Sequence, residues 1–208
     1  MLKKPENWEN VEVVEYGDYE SLKLGGHEVV IKKAYEYTGM TGNNSLKIEI
    51  DIAGNDEQKG YFQKQFDNNT NKDKKWSNGA CKYVSLKEDE KCVAMLKSFT
   101  TAVENSNAGY KWDWDETKLV NKKLCGVFGL EEYEKQDGTI GTATKLVQFR
   151  SLDKLKDVKI PKVKLLDNTF MDYEEYISKK QNNIVEYSGE NLNSLLETMP
   201  ISEDELPF

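Results

Sequence analysis

The chain is poor in what most catalytic centres are built from. Among its 208 residues there is one histidine, His27, and there are three cysteines, Cys81, Cys92 and Cys125, with no C-x-x-C pair. That set offers neither a zinc site nor a disulfide framework. The cysteines read instead as small buried hydrophobes of a chain kept in a reducing compartment. No G-x-S-x-G elbow and no Walker-type glycine loop is present, which removes the commonest nucleophilic and phosphate-cradling arrangements. No run approaches the roughly 20 apolar residues that cross a bilayer. The start, "MLKKPENWEN", carries basic residues without a following apolar segment, so no secretory signal is expected. These absences point to a cytoplasmic protein that is not an enzyme and needs no cofactor or metal.

Carboxylates are plentiful, and two pairs have a spacing that could hold Mg²⁺: Glu49 with Asp51, and Asp113 with Asp115 in "YKWDWDETKL". For the first pair, alternation with Ile48, Ile50 and Ile52 already accounts for acids on the solvent side of a half-buried strand. In the second stretch, Trp112 and Trp114 are expected to cover one end of the fold, since the acids beside them would repel a phosphate. Charge is unevenly distributed. Residues 165–208 hold ten acids and two lysines, giving -8, which equals the net charge of the whole chain; residues 1–164 balance at 27 against 27. The acidity belongs to the tail, and the remainder is neutral.

The strand signals come in order. "GGHEVVIKKAYEY" (25–37) is β-branched and aromatic, "NSLKIEIDIAG" (44–54) alternates strictly, and "KGYFQKQF" (59–66) reads as a third strand. Ser85-Leu86-Lys87-Glu88 has capping-box spacing and opens a helix with an apolar face of Cys92, Met95, Leu96, Phe99, Ala102 and Val103. Strands over 122–134 and 140–150 follow, joined at Asp137-Gly138, a strong hairpin signal. Three strands, a helix and two strands match an OB-fold-like five-stranded barrel, a mainly β architecture with one helix. The expected organisation is an N-terminal extension (1–24), the OB-like domain (25–150), a lysine-bearing connector (151–164), and an acidic, largely disordered tail (165–208) in which "MDYEEYISKK" could form a short helix.

The stretch from Lys59 to Lys87 holds seven lysines against Asp67 and Asp73, with aromatic residues interleaved. Single-stranded nucleic acid needs that mixture, because ammonium groups follow phosphates while ring faces accept unpaired bases. Lys59, Lys64, Lys72, Lys74, Lys75 and Lys82 are the candidate phosphate contacts, and Tyr61, Phe62, Phe66 and Trp76 the candidate stacking residues. A second reading stays open on composition alone: rings at alternate strand positions are commonly core, and lysine is a default surface residue.

The ending, "SEDELPF", resembles the acidic tip of bacterial single-stranded DNA-binding proteins, in which acids precede an aliphatic residue, a proline and a terminal phenylalanine. In that family an OB-fold coats single strands and the tip docks onto replication, recombination and repair enzymes. Here Glu203, Asp204 and Glu205 match the acids, and Leu206, Pro207 and Phe208 the apolar anchor. The strings "KGYFQKQFDNN" and "GYKWDWDE" are similar to those of a group of bacteriophage proteins met among replication and recombination functions, a likeness covering most of residues 20–150. The resemblance implies a phage single-stranded DNA-binding protein of the host cytoplasm, with single-stranded DNA and recombination or repair enzymes as partners, no membrane, and a homo-oligomer as an open option. The alternative is an interaction protein that mimics the tip to engage or block host enzymes without binding DNA.

Overall fold

The computed structural model describes residues 3–4 and 21–181. The alternating run 44–52 becomes strand β2 (Asn44–Ile52), in which Leu46, Ile48, Ile50 and Ile52 are all buried. It pairs antiparallel with β1 (Gly25–Thr38). A register shift between Ile31 and Lys33 inserts Lys32 as a bulge. Such an extra residue reverses the alternation: Val29 and Ile31 point inward before it, and Ala34 after it. The bend lets the first half of β1 pair with β4 (Lys123–Glu134) while the second half follows β2.

The hairpin at Asp137-Gly138 forms as its residues require. Gly138 takes φ 79°, and the Asp137 carboxylate accepts from the Thr139 amide. It joins β4 to β5 (Ile140–Arg150). Helix α2 (Glu90–Ser106) buries Phe99, Ala102 and Val103, with Phe99 5.2 Å from Phe149 of β5. Its cap is Asp89, whose side chain accepts from the Cys92 amide. Ser85 ends the preceding strand instead and holds the Lys87 amide, so the capping box read there is not used.

The segment read as a third strand, 59–66, is helical: α1 spans Tyr61–Asn68. Gly60, at φ 68°, turns the chain into a left-handed conformation that ends extended structure. Asp51, buried at the end of β2, then accepts from the amides of Phe62 (3.0 Å) and Gln63 (3.4 Å). A carboxylate on exposed N–H groups starts a helix and suits its dipole. The third strand is β3 (Cys81–Ser85), paired with β2.

The sheet continues beyond the five expected strands. β6 (Val163–Lys164) joins β4 in parallel at Glu131, and β7 (Phe170–Met171) pairs with β6. The result is a mixed seven-stranded sheet of order β3-β2-β1-β4-β6-β7, with β5 on the other edge of β4. Among the described residues it does not close by strand pairing. β3 and β5 face each other without a ladder, bridged by Lys82 Nζ donating to the Val147 carbonyl at 2.6 Å.

The boundaries read at 24, 150 and 164 also move. Leu22 lies in the core and the Lys23 amide donates to Gln58. Pro161 lies over β4 so closely that a Cβ on Gly129 would come within 3.2 Å of it. Val163 is fully buried, and residues 173–181 form a helix whose Tyr176 is buried and donates to Glu132. The connector and the start of the acidic segment therefore belong to the folded body, because the second face of β4 needs covering. Among the described residues no helix is long and apolar enough to cross a membrane.

Candidate nucleic-acid interface

The residues singled out in the lysine-rich stretch divide once they are folded. Phe62 is sealed in the core, 3% exposed, and stacks on Phe128 at 5.9 Å; no base can reach its face. Trp76 is half-buried and donates to the Ile50 carbonyl, with Phe66 5.5 Å away. Lys74 lies over the Phe66 ring at 4.5 Å and donates to its carbonyl. These groups pin α1 and its following loop onto β2. Tyr61 packs half-buried against the core, beside a shallow depression lined by Ser21, Gln65 and Thr144 and by no charged group. Lys59, Lys64, Lys72 and Lys75 are exposed. The helix explains this outcome: Phe62 and Phe66 lie four residues apart, on one face directed at the body. The tip, Glu203 to Phe208, lies outside the described residues.

Each acid of the two pairs has a partner in the fold. Asp51 caps α1, and Glu49 accepts from the Tyr35 hydroxyl and pairs with Lys47 at 2.8 Å. Burial pulls the Lys47 pKa down, but hydrogen bonds to Glu49 and Tyr35 outweigh it, and the ammonium is held above its ordinary range. Asp113 and Asp115 both engage Lys118. Among the described residues no group of three metal-ligating side chains forms. Trp112 packs on the core as expected, whereas Trp114, 76% exposed at φ 67°, stands outside it and meets the Trp112 ring edge-on at 6.1 Å.

One predicted lysine, Lys82, stands elsewhere, at the unpaired seam between β3 and β5. There the two strands and the β6–β7 segment enclose a cleft of about 820 Å³. Lys82, Lys145, Lys162 and Lys164 line it against a single carboxylate, Glu131, and Tyr83 and Phe170 stand at its walls with 44% and 64% exposure. Glu131 holds Lys164 at 2.7 Å and Lys145 at 3.0 Å, while Lys162 meets Asp172 at its outer edge at 3.3 Å. The Lys82 pKa is lowered, chiefly by burial, with Glu131 opposing and Lys164 adding to the shift. Tyr83 also belongs to the outer face of the sheet: it lies 5.5 Å from Tyr37, and Lys47 sits over the rings of both Tyr83 and Tyr35.

Of the six lysines and rings that line the cleft, Lys82 alone is a sequence candidate; Tyr83 is one of the rings interleaved in the lysine-rich stretch, and sequence reasoning missed Lys145, Lys162, Lys164 and Phe170. Lys162 and Lys164 were visible as a lysine-bearing connector, but its folding back against β4 was not. Hydrogen bonding to Lys164 keeps the Glu131 carboxyl below its ordinary value of 4.5. A depressed carboxyl stabilises the fold above the unfolded-state value, and that contribution is lost as pH falls through the folded one. Protection of the Lys164 amide against hydrogen exchange is therefore expected to drop below about pH 4 in the wild type. In Glu131→Gln it is expected to be lower at neutral pH and flat across the acid range.

No protein-family model matches the chain, and no curated protein matches it.

Proposed function

We propose that the protein binds single-stranded DNA in the β3–β5 cleft and recruits replication or recombination enzymes through residues 203–208. The observation that carries the reading is the cleft lining: four ammonium groups to one carboxylate, with two exposed rings, in a chain whose net charge is -8. Cations that follow a phosphate backbone and rings that accept unpaired bases are the two requirements of a single-strand site, and a duplex offers no free base faces to such rings. The strand order β3-β2-β1-β4-β5, with α2 between β3 and β4, supports an OB-like body whose barrel seam is left open as the binding groove. The site is thus moved from the stretch 59–76 to the seam, and of the sequence candidates only Lys82 remains central.

Fluorescence anisotropy with labelled oligo-dT tests it. Binding should weaken with salt, the log–log slope growing by about 0.7 for each phosphate neutralised. Deleting Phe208 should leave that binding intact and abolish capture of the recruited enzyme. Absence of binding, with capture retained, would transfer the assignment to an interaction protein that uses the tip alone.

A further inference from the structure

Among the described residues the β5 edge that faces the seam has no strand partner, and three depressions follow it. The cleft described above shares Lys82, Val147 and Gln148 with a smaller hollow of about 170 Å³ beside Met95 and Phe99. That hollow shares Ser98 and Phe149 with a third depression of about 470 Å³ between α2 and the end of β5. The three lie in succession along β5, with the Lys82–Val147 hydrogen bond crossing the seam between the first two. The third depression is lined by Lys97, Arg150 and Lys154, with the side chains of Ser98, Thr101 and Asn105 between them, and by no carboxylate. Lys154 has Asp153 beside it at 3.9 Å, both well exposed. Over the three depressions seven cations line the walls, Lys82, Lys145, Lys162 and Lys164 in the cleft and Lys97, Arg150 and Lys154 beyond it, with Glu131 among the lining residues and Asp172 and Asp153 beside Lys162 and Lys154 at the outer edges.

Arg150 is the only arginine in the chain. With the Gln148 carboxamide oriented so that its oxygen faces the guanidinium, that oxygen accepts from Nε at 3.0 Å and Nη2 at 2.9 Å. A guanidinium held by one edge retains donors in a fixed plane on the other, the geometry that suits a phosphate. The hydroxyl and amide groups around it are further donors for non-bridging oxygens.

We propose that the depression at the α2–β5 junction is a phosphate-binding site for the same polynucleotide, so that a bound strand runs along the β5 edge from Phe170 to Arg150. This rests on the single-strand reading of the cleft. It adds that the site is bipartite: rings and lysines grip bases and backbone at one end, while the other end, which lacks an exposed ring, takes backbone alone.

The test is a length series of labelled oligo-dT, from about 4 to about 16 nucleotides, which spans the usual site sizes of such domains. Wild type is compared with the Lys97→Ala/Arg150→Ala/Lys154→Ala variant and with Arg150→Lys. All three positions lie on the surface, and circular dichroism with a melting curve checks each fold. The shortest oligomers, which fill only the cleft, should bind wild type and triple variant alike. The longest should bind the triple variant about 100-fold more weakly near 0.1 M salt, with a slope smaller by about 2, since each lost phosphate contact removes about 0.7. Arg150→Lys, which keeps the charge and loses the fork, should fall between. Equal affinity and equal slope for long oligomers would overturn the second site while leaving the cleft standing. Failure of wild type to bind any length would remove both.

Discussion

Replacing Lys145, Lys162 and Lys164 together by alanine should weaken oligo-dT binding about 100-fold near 0.1 M salt. Release of condensed counterions makes each neutralised phosphate worth about 0.7 log units per tenfold dilution of salt. Three contacts therefore carry about two log units at a tenfold dilution from 1 M. The loss should vanish as salt approaches 1 M, because the contribution is that of the counterions. Glu131 complicates the variant in a useful way: with Lys164 and Lys145 gone it stands in the cleft with neither ion-pair partner. Adding Glu131→Gln to the triple variant should recover part of the affinity by removing that repulsion. A triple variant that binds with wild-type affinity and slope would show that phosphate does not enter the cleft.

Phe62→Ala should be among the most damaging single truncations, lowering the stability of the fold by about 3–5 kcal/mol. The ring is 3% exposed, stacks on the fully buried Phe128 and meets Tyr61 edge-on at 5.1 Å. Its removal leaves a cavity at the junction of α1 with the sheet, where Asp51 holds the helix start on one side only. Urea denaturation followed by tryptophan fluorescence measures the change. Phe170→Ala makes the contrast, because that ring is 64% exposed on the cleft wall. It should cost little stability and weaken DNA binding by about 1–3 kcal/mol, the range for one lost base-stacking contact. If the two variants exchanged these phenotypes, the aromatic platform would lie on α1 after all.

The two rings show where a reading of residue types stops. Phe62 and Phe170 are the same residue, and nothing within a few positions of either separates core from groove wall. Phe62 comes with the lysines of the 59–76 stretch, which made it a platform candidate. Its true partner is Phe128, 66 residues further along the chain, in a strand that packs behind it. Lys74 and Lys82 diverge for the same reason: one donates to a carbonyl eight residues away, the other across the seam to Val147.

Local physical chemistry alone determined much of this protein. Strict alternation placed β2, β-branched and aromatic content placed β1, and the hairpin signal Asp137-Gly138 placed β4 and β5, each within a residue or two; of the six-residue apolar face read for α2, Phe99, Ala102 and Val103 are buried, whereas Met95 is exposed. Those signals act over a few residues, so they survive in the linear chain. Tertiary contact decided the rest. Asp51 turned 61–68 from strand to helix by accepting amides ten or more residues away, and the uncovered face of β4 drew residues 151–181 into the body. The groove itself is assembled from β3, β5, β6 and β7, whose spacing in sequence follows no period. A cleft is a property of surfaces that fail to meet, and only the packed chain specifies where that happens.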